Sequence, residues 1–280
     1  MSAIDAAARE AFLQGGVTCL RGVLDARALA LAQHAFEWSL ANPSPSASMY
    51  AGGSGRFYQD LANRKAQPVY RELVHESPAA DLAAGLFGAP EVWFMYEQIF
   101  LKEGGDTRRT PWHQDSSYLP IEGEQIAVLW ISFDPVPRES ALEFVRGSQR
   151  GPLYDGSRFA PQDDTAPLYG DGSLPRLPDI EAEREKYEIV GYEVEPGDVV
   201  AFHPALLHGG AATRASQRRR TLSLRFFGAD AVYAKRPFQT VSLIPEAKAT
   251  SVFQLLSGRL AVGAPFRHPE FPKVRPRLSR

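Results

Sequence analysis

Residues 196–210 read Pro-Gly-Asp-Val-Val-Ala-Phe-His-Pro-Ala-Leu-Leu-His-Gly-Gly. A Pro-Gly-Asp turn opens the segment and a short apolar, β-branched run follows it. Pro204 ends that run, because it offers no backbone donor to a neighbouring strand. The same sequence of turn and apolar run recurs upstream and downstream. Residues 92–102, 124–133, 141–146, 188–194 and 220–227 are rich in β-branched and aromatic side chains. Gly104-Gly105, Asp134-Pro135 and Gly147-Ser148 supply turn chemistry between them. Strands divided by turns, with few helices between them, predict an antiparallel sandwich or barrel rather than a parallel sheet.

The N-terminal third has a different texture. Residues 6–13 are rich in Ala, with Arg9 and Glu10, and Gly15-Gly16 stops them. Residues 17–20 read as a short strand. Asp25 can cap a helix whose stripe is Leu29, Leu31, Ala32, Ala35 and Phe36. Two more helical stretches fall at 69–75 and 79–86. Residues 42–55 are rich in Pro, Ser and Gly and predict a long loop, either a surface connection or a lid with Met49 and Tyr50 at its tip. Residues 151–186 form a second irregular stretch, predicted to end in a helix at 180–186. Neither an internal repeat nor a domain linker is visible. The expectation is one domain over 1–280, α+β but mainly β, with N-terminal helices packed on a β-sandwich.

Composition narrows the function. The chain has 280 residues, and 31 Lys plus Arg against 33 Asp plus Glu give a net charge of −2, which argues against nucleic acid as the partner. Hydrophobic residues at 44% are too many for a disordered chain. Cys19 is the single cysteine, so an intrachain disulfide and a cysteine-based metal cluster are both excluded. The longest apolar candidate, 199–212, is broken by His203, Pro204 and His208, and is shorter than the roughly 18 residues a membrane span needs. Asp5, Arg9 and Glu10 precede any apolar run, unlike a secretory signal, so no membrane role and a cytoplasmic location are expected.

Residues 110–118 read Thr-Pro-Trp-His-Gln-Asp-Ser-Ser-Tyr. His113 and Asp115 are two apart, so an extended chain sends both side chains to one face. Together they make two-thirds of a metal site. The third ligand has two candidates, His203 and His208. Spacing does not decide between them, although Gly209-Gly210 would leave room for a metal beside His208. Two His and one Asp form the facial set that holds non-haem Fe(II) and leaves positions for oxygen and a cosubstrate. A His-x-Asp alone is weak evidence, since a buried, hydrogen-bonded histidine explains His113 equally well.

Further on comes Gln-Arg-Arg-Arg-Thr-Leu-Ser-Leu-Arg-Phe-Phe, residues 217–227. Three consecutive arginines are ordinarily a solvated patch. On a strand, however, Arg219 points away from Arg218 and Arg220. Arg219 would then turn inward with Thr221 and Ser223 while its two neighbours face solvent. An inward guanidinium needs an anion, best a carboxylate held bidentately.

Taken together, the His113-Gln-Asp115 segment, the Pro-Gly-Asp strand leading to His208-Gly209, and the strand from Arg219 to Arg225 resemble the phytanoyl-CoA dioxygenase family. The similarity runs from about residue 10 to about residue 230. The resemblance implies a double-stranded β-helix (jelly roll) core over about 90–230, Fe(2+) and 2-oxoglutarate as cofactors, and O2 and a small molecule as substrates. It implies His113, Asp115 and His208 as iron ligands and Arg219 as the residue holding the distal carboxylate of 2-oxoglutarate. It also places Gln98 and Trp130 at cosubstrate-contacting positions, although plain core packing explains Trp130 as well. His203 has no role in this comparison and reads either as structural or as a support behind the ligands. Related halogenases carry Ala or Gly where this chain has Asp115, so the resemblance implies a hydroxylase. Tyr118 would line the pocket only if the chain turns, which Pro120 favours.

Three rivals share parts of this pattern. A cupin-type isomerase or hydrolase would use the metal without 2-oxoglutarate, and Arg219 counts against it. A non-catalytic jelly-roll binding protein would be expected to lack part of the triad. A nucleic-acid demethylase would need a basic groove, which the net charge disfavours. Oligomeric state is not encoded in any motif.

Overall fold

The first helix starts where Asp5 accepts a hydrogen bond from the Ala8 amide and stops where Gly16 adopts φ 78°. A side chain at Gly16 would be strained in that conformation and would strike Leu206 and Gln149. Asp25 caps the second helix in the same way, through the Ala28 amide. The helices are α1 (Ala6–Gly15), α2 (Ala26–Ala41), α3 (Gln67–Glu76) and α4 (Ala79–Phe87). The first strands are β1 (Val17–Leu20), β2 (Ser48–Met49), β3 (Arg56–Leu61), β4 (Val92–Glu103) and β5 (Thr110–His113). Then come β6 (Ile121–Glu122), β7 (Ile126–Ser132), β8 (Leu142–Val145), β9 (Ile189–Gly191) and β10 (Val199–Phe202). The last are β11 (His208–Gly210), β12 (Arg219–Phe227), β13 (Val232–Tyr233) and β14 (Lys273–Arg275). The structure is a computed structural model and describes residues 4–50, 53–160, 162–213, 217–237 and 259–277.

Two antiparallel sheets face each other. The large one runs β1-β10-β7-β12-β4-β3-β2 with β14 added to β4, and the small one runs β5-β11-β8-β9. This is the mainly-β sandwich with N-terminal helices that the sequence predicts. Strand alternation decides what each face carries. On β12, Leu222, Leu224 and Phe226 point to the helices, where they join Phe36, Leu73, Leu86 and Ile99 in one core. On the other face Val128, Trp130, Val200 and Phe202 meet Phe144 of the small sheet. Each such buried side chain contributes about 1.5–3 kcal/mol. The cavity opens between the sheets, so the inward residues of β4, β7 and β12 become its wall.

Three expectations need correcting. Residues 42–55 are not one loop, because Ser48 and Met49 pair with Gln59 and Tyr58 of a strand, β3, that the sequence reading did not foresee. Ala51 and Gly52 of that segment lie outside the described residues. Residues 180–186 are not an α-helix. Only a single 3-10 turn forms at Arg184–Lys186, while Glu181 is drawn off to Trp112 and Arg109. Lastly, Arg220 does not simply face solvent. It lies opposite Arg219 as alternation requires, but its Nε and Nη2 clamp the Asp134 carboxylate at 3.1 and 2.9 Å.

Candidate metal and cosubstrate site

Strands β5 and β11 pair so that His113 and His208 are direct partners across the ladder. Their ring centroids are 4.2 Å apart. The chain then leaves β5 and turns through a 3-10 helix at Asp115–Ser117, which swings Asp115 to the same point. Asp115 Oδ1 lies 3.5 Å from His113 Nε2 and 3.9 Å from His208 Nε2. One nitrogen or oxygen from each of the three lies within 4.8 Å of the others.

The donor chemistry fits a divalent metal such as iron. Each imidazole has its Nδ1 against the carbonyl two residues earlier, Pro111 at 2.8 Å for His113 and Leu206 at 2.9 Å for His208. With Nδ1–H donating there, the Nε2 lone pair is left for a metal. Burial pushes His208 down to about 3, with His113 adding to the effect and Asp115 opposing it, so the ring is neutral at neutral pH. Burial alone would raise the Asp115 carboxyl. Arg225, followed by His113 and His208, overrides burial and holds it well below the usual carboxylate range.

Gly209 and Gly210 border the cavity beside His208 and are also crowded by the neighbouring strands. A Cβ on Gly209 would lie 3.0 Å from the Thr110 carbonyl, and one on Gly210 would lie 3.2 Å from Leu142. His203, the other candidate ligand, is elsewhere. Its Nε2 bonds the Gly123 carbonyl at 3.0 Å and its Nδ1 accepts from the Ala205 amide at 3.1 Å, so both ring nitrogens are occupied.

A cavity of about 510 Å³ joins the triad to the remaining predicted residues. Arg219, Gln98 and Trp130 all line it, as do Thr221 and Ser223. Arg219 is 6% exposed and donates to the carbonyls of Ser140 and Ala211, with no carboxylate against it among the described residues. Burial pushes its guanidinium down to about 10, still charged at neutral pH. Gln98 is less free than expected. Its carbonyl accepts from Arg225 and its amide donates to Gln59, at 2.7 and 2.8 Å. Trp130 is packed in the inter-sheet core and shows an edge to the cavity, so the two readings of it coincide. Tyr118 does line the wall, because the 3-10 turn reverses the chain there. Met49 and Tyr50 border the cavity from one side and Arg158 and Phe159 from the other.

The segment carrying Asp115 is also stitched to the 151–186 insertion. Gln114 accepts from the Tyr154 amide at 2.8 Å and donates to the Pro152 carbonyl at 3.2 Å. Ser117 Oγ donates to the Tyr154 carbonyl at 2.7 Å, and Tyr169 OH donates to the Ser117 carbonyl at 2.6 Å. Tyr118 OH donates to the Ser157 carbonyl at 3.0 Å.

Two wall residues escaped the sequence reading. Lys102 sits directly opposite Arg219 in the β12–β4 ladder and is 1% exposed. Arg225 is 4% exposed and reaches Asp115 Oδ2 at 2.7 Å. The parity that turns Arg219, Thr221 and Ser223 inward continues to Arg225, because the register shift in β12 comes only after it. An arginine in the apolar run Leu-Ser-Leu-Arg-Phe-Phe was the available signal.

Comparison with known proteins bears on the family and the fold. A profile of the family "Phytanoyl-CoA dioxygenase (PhyH)" matches residues 12–221. A probable phytanoyl-CoA dioxygenase of Caenorhabditis elegans is 28% identical over 179 residues, covering 61% of this chain and 54% of that protein. The chain thus spans about half the length of the curated relatives it matches. The non-heme alpha ketoglutarate dependent carbocyclase SnoK from nogalamycin biosynthesis superposes with a TM-score of 0.70 at 22% identity, over 97% of this chain and 96% of that one. The epimerase SnoN, solved in complex with Fe3+, alpha ketoglutarate and nogalamycin RO, superposes with a TM-score of 0.69 at 20% identity, over 96% and 98%. These two share the fold. Among the described residues no helix is long and apolar enough to cross a membrane. With the profile covering most of the chain, from the first helix to the strand of Arg219, the protein belongs to the phytanoyl-CoA dioxygenase family.

Proposed function

We propose that this chain is an Fe(II)- and 2-oxoglutarate-dependent dioxygenase that hydroxylates a small organic molecule, acting as a single catalytic domain. The observation that carries the reading is one cavity that holds both a His-Asp-His donor set and a buried arginine without a carboxylate partner among the described residues. His113, Asp115 and His208 would hold the iron. Arg219 would hold the distal carboxylate of 2-oxoglutarate, with Thr221 and Ser223 on the same strand face and Trp130 beside them. When bound, iron and 2-oxoglutarate supply the oxidising power drawn from O2, with succinate and CO2 as coproducts.

The protein's own contribution is geometry and dryness. The two backbone carbonyls fix the imidazole tautomers, so the metal-facing nitrogens need no reorganisation. Arg225 restrains Asp115 through Oδ2 and leaves Oδ1 on the histidine side. Aromatic walls from Tyr50, Phe57, Tyr118 and Phe159 would exclude water and position one C–H bond. A cupin-type isomerase would have no use for the buried charge of Arg219. A cytoplasmic location and the absence of a nucleic-acid partner belong to the same reading and rest on the chain's charge balance and lack of a long apolar segment.

The test is turnover of 2-oxoglutarate. Purified protein should form succinate only with Fe(II), and anaerobic addition of 2-oxoglutarate to the Fe(II) form should raise a visible charge-transfer band. Absence of both would overturn the reading.

A further inference from the structure

The cavity carries more positive charge than the metal and cosubstrate account for. Among the described residues its wall presents Lys102, Arg158, Arg219 and Arg225 against one carboxylate, Asp115. Lys102 has its ammonium nitrogen against the Arg108 and Ala211 carbonyls at 3.1 and 3.5 Å, and burial lowers its pKa well below the usual lysine value. Arg219 and Arg225 keep their charge. In a loaded site, Fe(II) is balanced by Asp115 and one carboxylate of 2-oxoglutarate, and Arg219 by the other carboxylate. Arg158, exposed at the rim, and the buried guanidinium of Arg225 are left over.

Arg225 is also incompletely bonded. Its Nη2 serves both Asp115 Oδ2 and Gln98 Oε1, at 2.7 Å each. Its Nε and Nη1 are buried and have no hydrogen-bond partner among the described residues. The ring of Tyr96 covers one face of the guanidinium at 4.6 Å. A charged group that has lost its water and found no acceptor is a costly arrangement, and an incoming acceptor removes the cost.

We propose that the substrate is a monocarboxylic acid whose carboxylate docks on the free N–H groups of Arg225, beside Asp115. The proposal rests on the oxygenase reading and adds the substrate's class to it. One guanidinium matches one negative charge. A phosphate dianion, or a thioester carrying several phosphates, would bring charge that this part of the wall does not meet. The surroundings are otherwise apolar, since Tyr96 and Leu119 cluster there with Leu61 packed against them. They suit a carbon skeleton attached to the docked acid. The Arg158 side chain is exposed at the cavity wall, bonded among the described residues only through Nε to the Leu168 carbonyl at 3.4 Å, and would draw an anion inward.

The test uses the full-length protein loaded anaerobically with Fe(II) and 2-oxoglutarate. The probes are 3-phenylpropionate, 4-phenylbutyrate and octanoate, each paired with its primary amide, and binding is read by calorimetry. In the parent at least one acid should bind about tenfold or more tightly than its amide, the difference expected for a charge-assisted pair. Arg225→Gln should bring acid and amide to within about twofold, while Arg225→Lys keeps part of the preference. The charge-transfer band reports separately on metal and cosubstrate in every variant. Equal binding of acids and amides by the parent, no binding of any acid, or a preference that survives Arg225→Gln would each overturn the proposal. If both variants lose the band and the parent does not discriminate, Arg225 is only a brace for Asp115, and the proposal falls. Failure of the band to form in the parent itself would count against the oxygenase reading instead.

Discussion

The two walls of the cavity are built on opposite economies. The small-sheet wall is local: His113 and His208 are ladder partners, and each is oriented by the carbonyl two residues before it in the chain. Nothing distant is needed to aim the rings. The large-sheet wall is long-range. Lys102, Gln98, Arg219 and Arg225 are polar groups carried on strands whose other face is core, and their partners come from separate elements. A locally aimed site should lose function sharply and alone when a ligand is removed. A wall of interlocked charges should spread its losses between binding and folding.

The largest effect is expected on the local wall. His208→Ala should lower Fe(II) affinity by more than the roughly 10–100-fold typical of disturbing a residue behind a ligand, with little change in melting temperature. Anaerobic metal titration beside calorimetry measures both, and retained iron in His208→Ala would break the assignment. Next comes Arg219→Ala. Truncating one partner of a desolvated ion pair typically costs ~2–5 kcal/mol, which is roughly 30-fold to several thousandfold in 2-oxoglutarate affinity. Iron binding should stay intact. Arg220→Ala should instead cost stability, since it frees Asp134, and leave the cosubstrate titration near the parent's.

Glu97 tests the cost of burying charge on the helix side of the same sheet. Burial raises its carboxyl to about 8, although the Asn63 amide donates to it at 2.7 Å. Below the unfolded carboxyl's pKa both states are protonated. Between there and about 8 only the unfolded state ionises, so this residue lowers stability as pH rises through that window. Glu97→Gln keeps the acceptor and removes the proton. Denaturant melts should show the variant gaining on the parent across pH 5–8, by a few kcal/mol at most, and parallel curves would contradict it. His203→Ala should cost about 1–3 kcal/mol through the Gly123 and Ala205 bonds with metal retained. Arg218→Ala, exposed and paired only at 3.5 Å, should change stability by less than about 1 kcal/mol.

What the sequence made readable follows the same division. His113 and Asp115 could be placed together from a two-residue spacing, and Arg219 could be turned inward from strand alternation. Both are local rules. The strand β3 was hidden because its residues, Arg-Phe-Tyr-Gln-Asp-Leu, lack a clean alternation and follow a stretch rich in Pro, Ser and Gly. Glu181 belongs to Trp112 and Arg109 rather than to a helix, a competition that no window of sequence contains. Arg225 shares the strand parity of Arg219. Its importance depends on Asp115 lying across the cavity, 110 residues away in the chain. Gly209-Gly210 pointed to His208, which does lie with His113 and Asp115, and the two glycines are crowded by Thr110 and Leu142 as well as bordering the cavity.

The bonds between residues 114–118 and the insertion have an evolutionary consequence. Loops that choose substrates are usually exchanged freely because the scaffold beneath them does not notice. Here the segment that presents Asp115 is held by Pro152, Tyr154, Ser157 and Tyr169, so insertion and carboxylate form one inherited unit. A new specificity grafted at 151–186 would detune the metal site unless Gln114, Ser117 and Tyr118 travelled with it. Diversification in this chain should therefore come more cheaply from the other rim, around Met49 and Tyr50, whose tie to the triad is longer, running from Ser48 through Gln59, Gln98 and Arg225 before it reaches Asp115.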